Sequence, residues 1–359
     1  MLHVKVAGEG ETLVLLHGLF GSLENLGAVA RFLTSNFKVY SVDLPNHGRS
    51  SHRDGADLGH MASAVSRWMN EAGLTSVGLV GHSLGGKVAM EIALSHPERV
   101  RGVVVIDIAP VTYPPRHQDV FAGLNAINPA AITHRAEAEA LMAPHVTEEA
   151  VRSFLLKNLT KTDSGFEWRM NLQDIQRQYG HLIGENRPDA SYAGPILFLK
   201  GGNSDYIKSD YRQAITRRFP AAQLKIVPDT GHWLHAEKPE LTATLIRKFF
   251  LGSSREADKL IARADKNIQV RRRGIMPKAK IENLMTELHE RFGEQQMSAE
   301  QQRLLRELQS HVHDVTDGAV KDPTPLETIQ LMIDDLGENH PNVSALLREL
   351  LDTLKNIGV

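Results

Sequence analysis

The chain predicts an α/β fold, a mostly parallel sheet covered by helices on both faces, with a small all-α segment after it. Three observations carry this. Apolar runs at residues 12–16, 38–42, 77–80, 103–106 and 195–200 alternate with helical patterns, the order that builds parallel sheets. These runs end in turns bearing Gly, Pro, Ser or Asp, where such sheets place their ligands. After residue 251 the runs stop, and only capped helical patterns remain.

The elements follow in order. Residues 2–6 and 12–16 read as strands joined through Gly8-Glu9-Gly10, and the second runs into His17-Gly18-Leu19-Phe20-Gly21-Ser22. Glycines where a buried strand ends let backbone N–H groups converge on one point, as an oxyanion site requires. A helical pattern spans 23–33. The strand at 38–42 ends in Asp43-Leu44-Pro45-Asn46-His47-Gly48-Arg49-Ser50, a long ordered loop in which Asp43 and Arg49 are expected to fix the loop. A helix over 57–72 leads to Val77-Gly78-Leu79-Val80, which enters Gly81-His82-Ser83-Leu84-Gly85-Gly86, and a helix leaves it. A serine on so sharp a strand-to-helix turn must take a strained backbone and needs small neighbours, which Gly81 and Gly85 supply. The strand at 103–106 stops at Asp107-Ile108-Ala109-Pro110, and that at 195–200 opens into Gly201-Gly202-Asn203-Ser204-Asp205. A last strand, 224–227, precedes Asp229-Thr230-Gly231-His232-Trp233.

His232, after the last strand, suits a general base for Ser83, since an imidazole can take up and return a proton near neutral pH. Two aspartates qualify as the acid that orients it, Asp107 and Asp205. His235 is expected to be structural or supporting. The oxyanion would be held by the N–H of Leu84 and one from Leu19 or Phe20. Between about residues 110 and 193 strand pattern is scarce, and helices are expected at 136–141, 148–159 and 168–179, forming a lid over the strand ends. Phe154, Leu155, Trp168 and Met170 are candidates for its pocket, each equally at home in a lid core. His117, His134 and His145 fit no metal pair and read as solvated.

His17-Gly18, the loop at 43–50 and Gly81–Gly86 occur in the order of the α/β-hydrolase superfamily, which residues 1–251 resemble. His17-Gly18-Leu19-Phe20-Gly21-Ser22 with Asn46-His47-Gly48 resembles, more narrowly, the YbfF-type bacterial esterases and their eukaryotic relatives. The resemblance implies an α/β-hydrolase sheet with a helical lid and a catalytic triad. Most of the superfamily carries its acid where Asp205 stands. The YbfF-type branch takes it from the strand before Asp107-Ile108-Ala109-Pro110, which favours Asp107. The implied activity is that of a serine hydrolase cleaving carboxylic esters or acyl thioesters, of short to medium chain or of acyl-CoA, through an acyl-enzyme on Ser83. No cofactor and no metal are expected. C–C bond hydrolysis and cofactor-free haloperoxidase chemistry use the same triad, whereas haloalkane dehalogenation needs Asp at position 83. A chain that has kept this scaffold as a non-catalytic adaptor is the alternative from another class.

Bulk properties set the remaining bounds. At 359 residues the chain exceeds the size at which one core keeps growing, so more than one domain is expected. Net charge is −2 overall, but +1 over 1–251, +4 over 252–275 and −7 over 276–359, so bulk nucleic-acid binding is not expected. There is no cysteine, which removes disulfides, thiolate nucleophiles and Cys-based zinc sites. Neither a signal peptide nor a membrane-length apolar run is visible, and the cytoplasm is the default location. The basic stretch 252–275, with Arg271-Arg272-Arg273, reads as a linker. From Met276 four helix patterns follow, among them a capping box at Ser298-x-x-Gln301 and a Pro325 start. This acidic helical hairpin or bundle, 276–359, resembles an uncharacterised family of short bacterial proteins. Two readings of it stay open, a homo-oligomerisation module and a neighbouring gene product fused through Met276. His311-Val312-His313-Asp314 lacks the second half of a metal motif.

Overall fold

The computed structural model describes residues 1–163, 165–252, 347, 348 and 351. The chain divides into two compact units, Met1–Ala264 and Asp265–Val359. In the second, Leu347, Arg348 and Leu351 are helical. The linker, the four helix patterns and the expected association of 276–359 otherwise lie outside the described residues.

In the first unit, β1 (Val4–Ala7), β2 (Glu11–Leu16), β3 (Phe37–Val42), β4 (Val77–His82), β5 (Val100–Ile106), β8 (Ile196–Gly201) and β9 (Ala222–Val227) form one sheet in the order β1-β3-β2-β4-β5-β8-β9. Only β1 runs antiparallel to its neighbour; every other pairing is parallel. The period-2 geometry of a strand sorts its side chains between two cores. Leu13 and Leu15 of β2, Val104 and Ile106 of β5, and Leu197 and Leu199 of β8 face one side. There they meet α1 (Gly27–Leu33), α9 (Leu234–Glu237) and α10 (Pro239–Leu251). Val14, Leu16, Val103, Val105, Ile196 and Phe198 face the other side, against α2 (Leu58–Glu71), α3 (Leu84–Ser95) and α8 (Arg212–Arg218). Sides this apolar on both faces are why the strand runs lack polar alternation. Asp57 caps α2, accepting from the His60 N–H at 2.8 Å.

The lid connects β5 to β8 and contains α4 (Gln118–Asn125), α5 (Arg135–Met142), α6 (Glu149–Leu156), the hairpin β6 (Leu159–Thr162) and β7 (Gly165–Trp168), and α7 (Leu172–Leu182). The hairpin corrects the helical reading of its neighbourhood. Leu159 pairs with Trp168 across it and Gly165 takes φ +126°, so α6 stops early and α7 starts late, at the Asn171 cap. The helix α4 had no clear sequence pattern.

The lid is tied down by buried polar groups. Asp174 of α7, 1% exposed, accepts from the Asn46 side chain at 2.7 Å and from the N–H groups of Gly55 and Ala56 at 2.9 and 3.1 Å. Burial pushes the Asp174 carboxyl up, but these donors and Arg177 outweigh it and hold it below the usual carboxylate range. Near the lid's two ends, Lys87 of α3 donates to the carbonyls of Val111 and Gly184 at 2.8 and 2.6 Å.

Candidate active site

Ser83 stands between β4 and α3 at φ +50° and ψ −117°, its N–H donating to the Ile106 carbonyl at 3.0 Å. The glycines beside it leave no room for side chains. A Cβ on Gly81 would lie 2.2 Å from the Gly85 carbonyl oxygen, and one on Gly85 2.2 Å from that of Leu16. The non-glycine residues with positive φ among those described are Phe20, Asn46, Ser83, Asp107 and Asp229. Each follows the carboxyl end of a sheet strand, so the backbone strain is concentrated on the face where the polar residues meet.

His232 donates from Nδ1 to Asp107 at 2.8 Å, which leaves Nε2 as the basic nitrogen of the neutral ring. Asp107 is fully buried and also accepts from the Gly201 N–H at 3.0 Å and from the Ser204 hydroxyl. Asp205, the other aspartate, lies apart: its carboxylate is 62% exposed and pairs with Arg116 at 2.9 Å. The Arg116 hydrogen bond holds the Asp205 carboxyl below its usual range. Through Arg116 it nevertheless reaches the same region, because the guanidinium sits 5.1 Å over the Tyr206 ring, and that ring stacks on His232 at 3.8 Å. The loops carrying these groups clamp one another, Asn203 N–H donating to the Thr230 carbonyl and Gly202 N–H to that of Val227.

Ser83, His232, Leu19 and Phe20 line a cavity of about 560 Å³, together with Phe154 and Leu155 from the lid. Leu84 lines a smaller one, about 40 Å³, which Ser83 and Leu19 share. Of the pocket candidates, Trp168 and Met170 belong to neither and line a separate depression with Leu124 and Asn128. Trp168 ends β7, and Met170 lies between it and the Asn171 cap of α7.

His117 corrects the reading as a solvated residue. It packs edge-on to Tyr179, whose hydroxyl is 2.6 Å from its Nδ1, and lines both Ser83 cavities. Burial, reinforced by His232 and Arg116, lowers its pKa to about 4. His134 and His145 are exposed, as expected. Asp43 fixes its loop, accepting from the N–H groups of Leu23 and Arg49 at 2.6 and 2.9 Å; Arg49 takes part only through that N–H, its side chain being exposed.

His17 and His82 were given no role of their own by the sequence, whereas His235, expected to be structural or supporting, is buried beside His82. His17 donates from Nδ1 to the Gly18 carbonyl at 2.8 Å and accepts the Leu44 N–H at Nε2 at 3.0 Å, locking one tautomer; burial lowers its pKa to about 4. His82 bonds through Nε2 to the His232 carbonyl at 2.9 Å and packs on His235 at 4.1 Å. Burial, with His235 and His232 adding to it, holds His82 well below its usual pKa, and burial takes His235 down to about 3. The only sequence signal for His17 and His82 was adjacency to Gly18 and Ser83. Among the described residues no group of three or more His, Asp or Glu side chains is placed to hold a metal ion, and no helix is long and apolar enough to cross a membrane.

A strained serine turn after β4, a histidine after the last strand and a lid over the carboxyl ends define an α/β hydrolase. Residues 11–239 match the model of the α/β-hydrolase fold family, and the chain belongs to it. Within that family it is of the YbfF esterase type: it is 37% identical over 238 residues to esterase YbfF of Escherichia coli, covering 66% of this chain and 92% of that one. It is 38% identical over 241 residues to the sn-1-specific diacylglycerol lipase ABHD11 of Danio rerio, covering 65% and 76%. The structure of a marine microorganism esterase superposes with a TM-score of 0.68 at 35% identity, over 69% of this chain and 98% of that one. Residues 279–359 match a domain of unknown function, DUF4404, so the chain joins a hydrolase to that module.

Proposed function

We propose that this protein is a serine hydrolase that cleaves carboxylic esters or acyl thioesters through an acyl-enzyme on Ser83. The observation that carries the reading is the His232–Asp107 hydrogen bond at 2.8 Å, with Ser83 and His232 lining one cavity. His232 takes the Ser83 proton as Oγ attacks the acyl carbonyl. Asp107 holds the imidazole in its Nδ1–H tautomer and stabilises the imidazolium. The N–H of Leu84 and one from Leu19 or Phe20 receive the oxyanion, a contribution of about 3–4 kcal/mol per donor. The imidazolium returns the proton to the leaving group, and water activated by the same histidine releases the acid.

The esterase and lipase names of the relatives support an ester as the substrate. A fluorophosphonate probe tests the reading. Wild type is expected to be labelled and to hydrolyse activated esters, and Ser83→Ala to do neither. Labelling or turnover that persists in Ser83→Ala would overturn it, and absence of both in wild type would favour an adaptor.

A further inference from the structure

Ser83 lies at the junction of two very unequal cavities, and the placement of the base says which part of a substrate each receives. His232 lines the 560 Å³ cavity and not the 40 Å³ one. In the acylation step the Ser83 Oγ–acyl carbon bond forms and the bond from that carbon to the leaving oxygen or sulfur breaks. The proton His232 took from Ser83 must then reach that leaving atom. The leaving group therefore has to lie on the His232 side. The acyl chain is left with the other opening from Ser83, which Leu84 and Leu19 also line.

That opening is small and its walls are fixed. A volume of about 40 Å³ holds about three or four water-sized groups. Its walls include Lys87, Ile108, Tyr113, Leu182, Ile183 and Tyr206. Tyr113, buried, accepts the Ala109 N–H at 2.8 Å and donates to the Tyr206 carbonyl at 2.5 Å. Lys87 is held by the Val111 and Gly184 carbonyls and lies 5.3 Å from the Tyr113 ring. Opening this pocket for a longer chain would break several of these buried bonds.

Resting on the serine-hydrolase reading above, the geometry points to a division of the substrate: a short acyl group, of about two to four carbons, in the pocket walled by Tyr113, Leu182 and Ile183, and a large alcohol or thiol leaving group in the cavity lined by Phe154 and His232. This chain would then differ from an enzyme that selects long acyl chains.

The test uses the full-length protein with two ester series, one varying the acyl chain from C2 to C12 on p-nitrophenol, the other varying the alcohol at constant acetyl. In the first, kcat/KM is expected to peak at C2–C4 and to fall at least about tenfold by C8. In the second, bulky alcohols are expected to lose less than about threefold. Ile183→Ala, at a partly buried position, and Leu182→Ala, checked for an intact thermal transition, are expected to shift the acyl optimum upward without changing the alcohol ranking. Phe154→Ala should alter the alcohol ranking and leave the acyl optimum where it was. A kcat/KM that rises to C8 or beyond, or wall variants that change alcohol rather than acyl preference, would overturn the division while leaving the nucleophile in place. Absence of Ser83-dependent hydrolysis across both series would overturn the serine-hydrolase reading and this division together.

Discussion

The strand ends and the lid, which meet over Ser83, are held by opposite means. At the strand ends the backbone is strained: Phe20, Asn46, Ser83, Asp107 and Asp229 all take positive φ, and parallel strands packed on both faces hold them there. Among the described residues of the lid no non-glycine residue does so. The lid is joined to the sheet by apolar packing and a few buried polar ties, Asp174, Lys87 and Asn158, the last donating to the Phe20 carbonyl at 2.7 Å. The first region holds Ser83, Asp107 and their neighbours in a strained backbone. The second can be re-cut, since its geometry rests on individual side chains.

The comparison is tested most severely at the two aspartates. Asp107→Asn is expected to lower kcat by about 10⁴, by presenting the wrong imidazole tautomer, while Asp205→Asn lowers it by less than about tenfold. Steady-state kinetics that rank the pair the other way would move the site away from the strained strand end.

A pH titration probes the same platform. His17, His47, His82, His117 and His235 are packed neutral, with pKa values lowered to about 4, about 3, well below the usual value, about 4 and about 3, burial being the main cause in each. Because the folded values are depressed, the unfolded chain binds more protons than the native one below pH ~6.5. Their stabilising contribution is complete above pH ~6.5 and is lost as pH falls from there towards about 3. Urea melts at pH 5–7 are expected to show an uptake of about four to five protons on unfolding near pH 5. A slope of one proton or less would show that these rings are not packed neutral.

On the lid side, Asp174→Ala leaves the Asn46 amide and the Gly55 and Ala56 N–H groups without their acceptor. It is expected to cost about 3 kcal/mol of stability and to raise KM more than it lowers kcat. A matching loss in kcat alone would place Asp174 with the chemistry instead of the lid. The smallest effect concerns the strain itself. Ser83→Gly is expected to abolish turnover while relieving φ +50°, and to add about 1 kcal/mol, or about 2–4 °C in Tm. An unchanged or lower Tm in calorimetry would show that the turn is not strained.

Much of this was legible in the chain. The Gly81–Gly85 turn, the strand runs and the position of His232 after the last of them lie close together in sequence or follow from the period of a buried strand. What escaped was long-range. The residues alone left Asp107 and Asp205 open, and only the family resemblance favoured Asp107, because the choice depends on which carboxylate the folded loops bring to His232, 125 residues from Asp107 along the chain. The β6–β7 hairpin was hidden because a short four-residue strand leaves almost no periodic signal. His117 read as solvated because nothing near it in sequence announces Tyr179, which buries it.

By itself, then, the sequence determined the parallel sheet, the strained serine turn and the placing of Ser83 and His232 just past strand ends, because these rest on local backbone demands that only certain residues meet. The tertiary structure alone decided which aspartate faces the histidine, how the lid is fastened, and how unequal the two cavities beside Ser83 are. Those outcomes depend on side chains a hundred residues apart meeting in a buried space, where hydrogen-bond partners and volume, not periodicity, set the result.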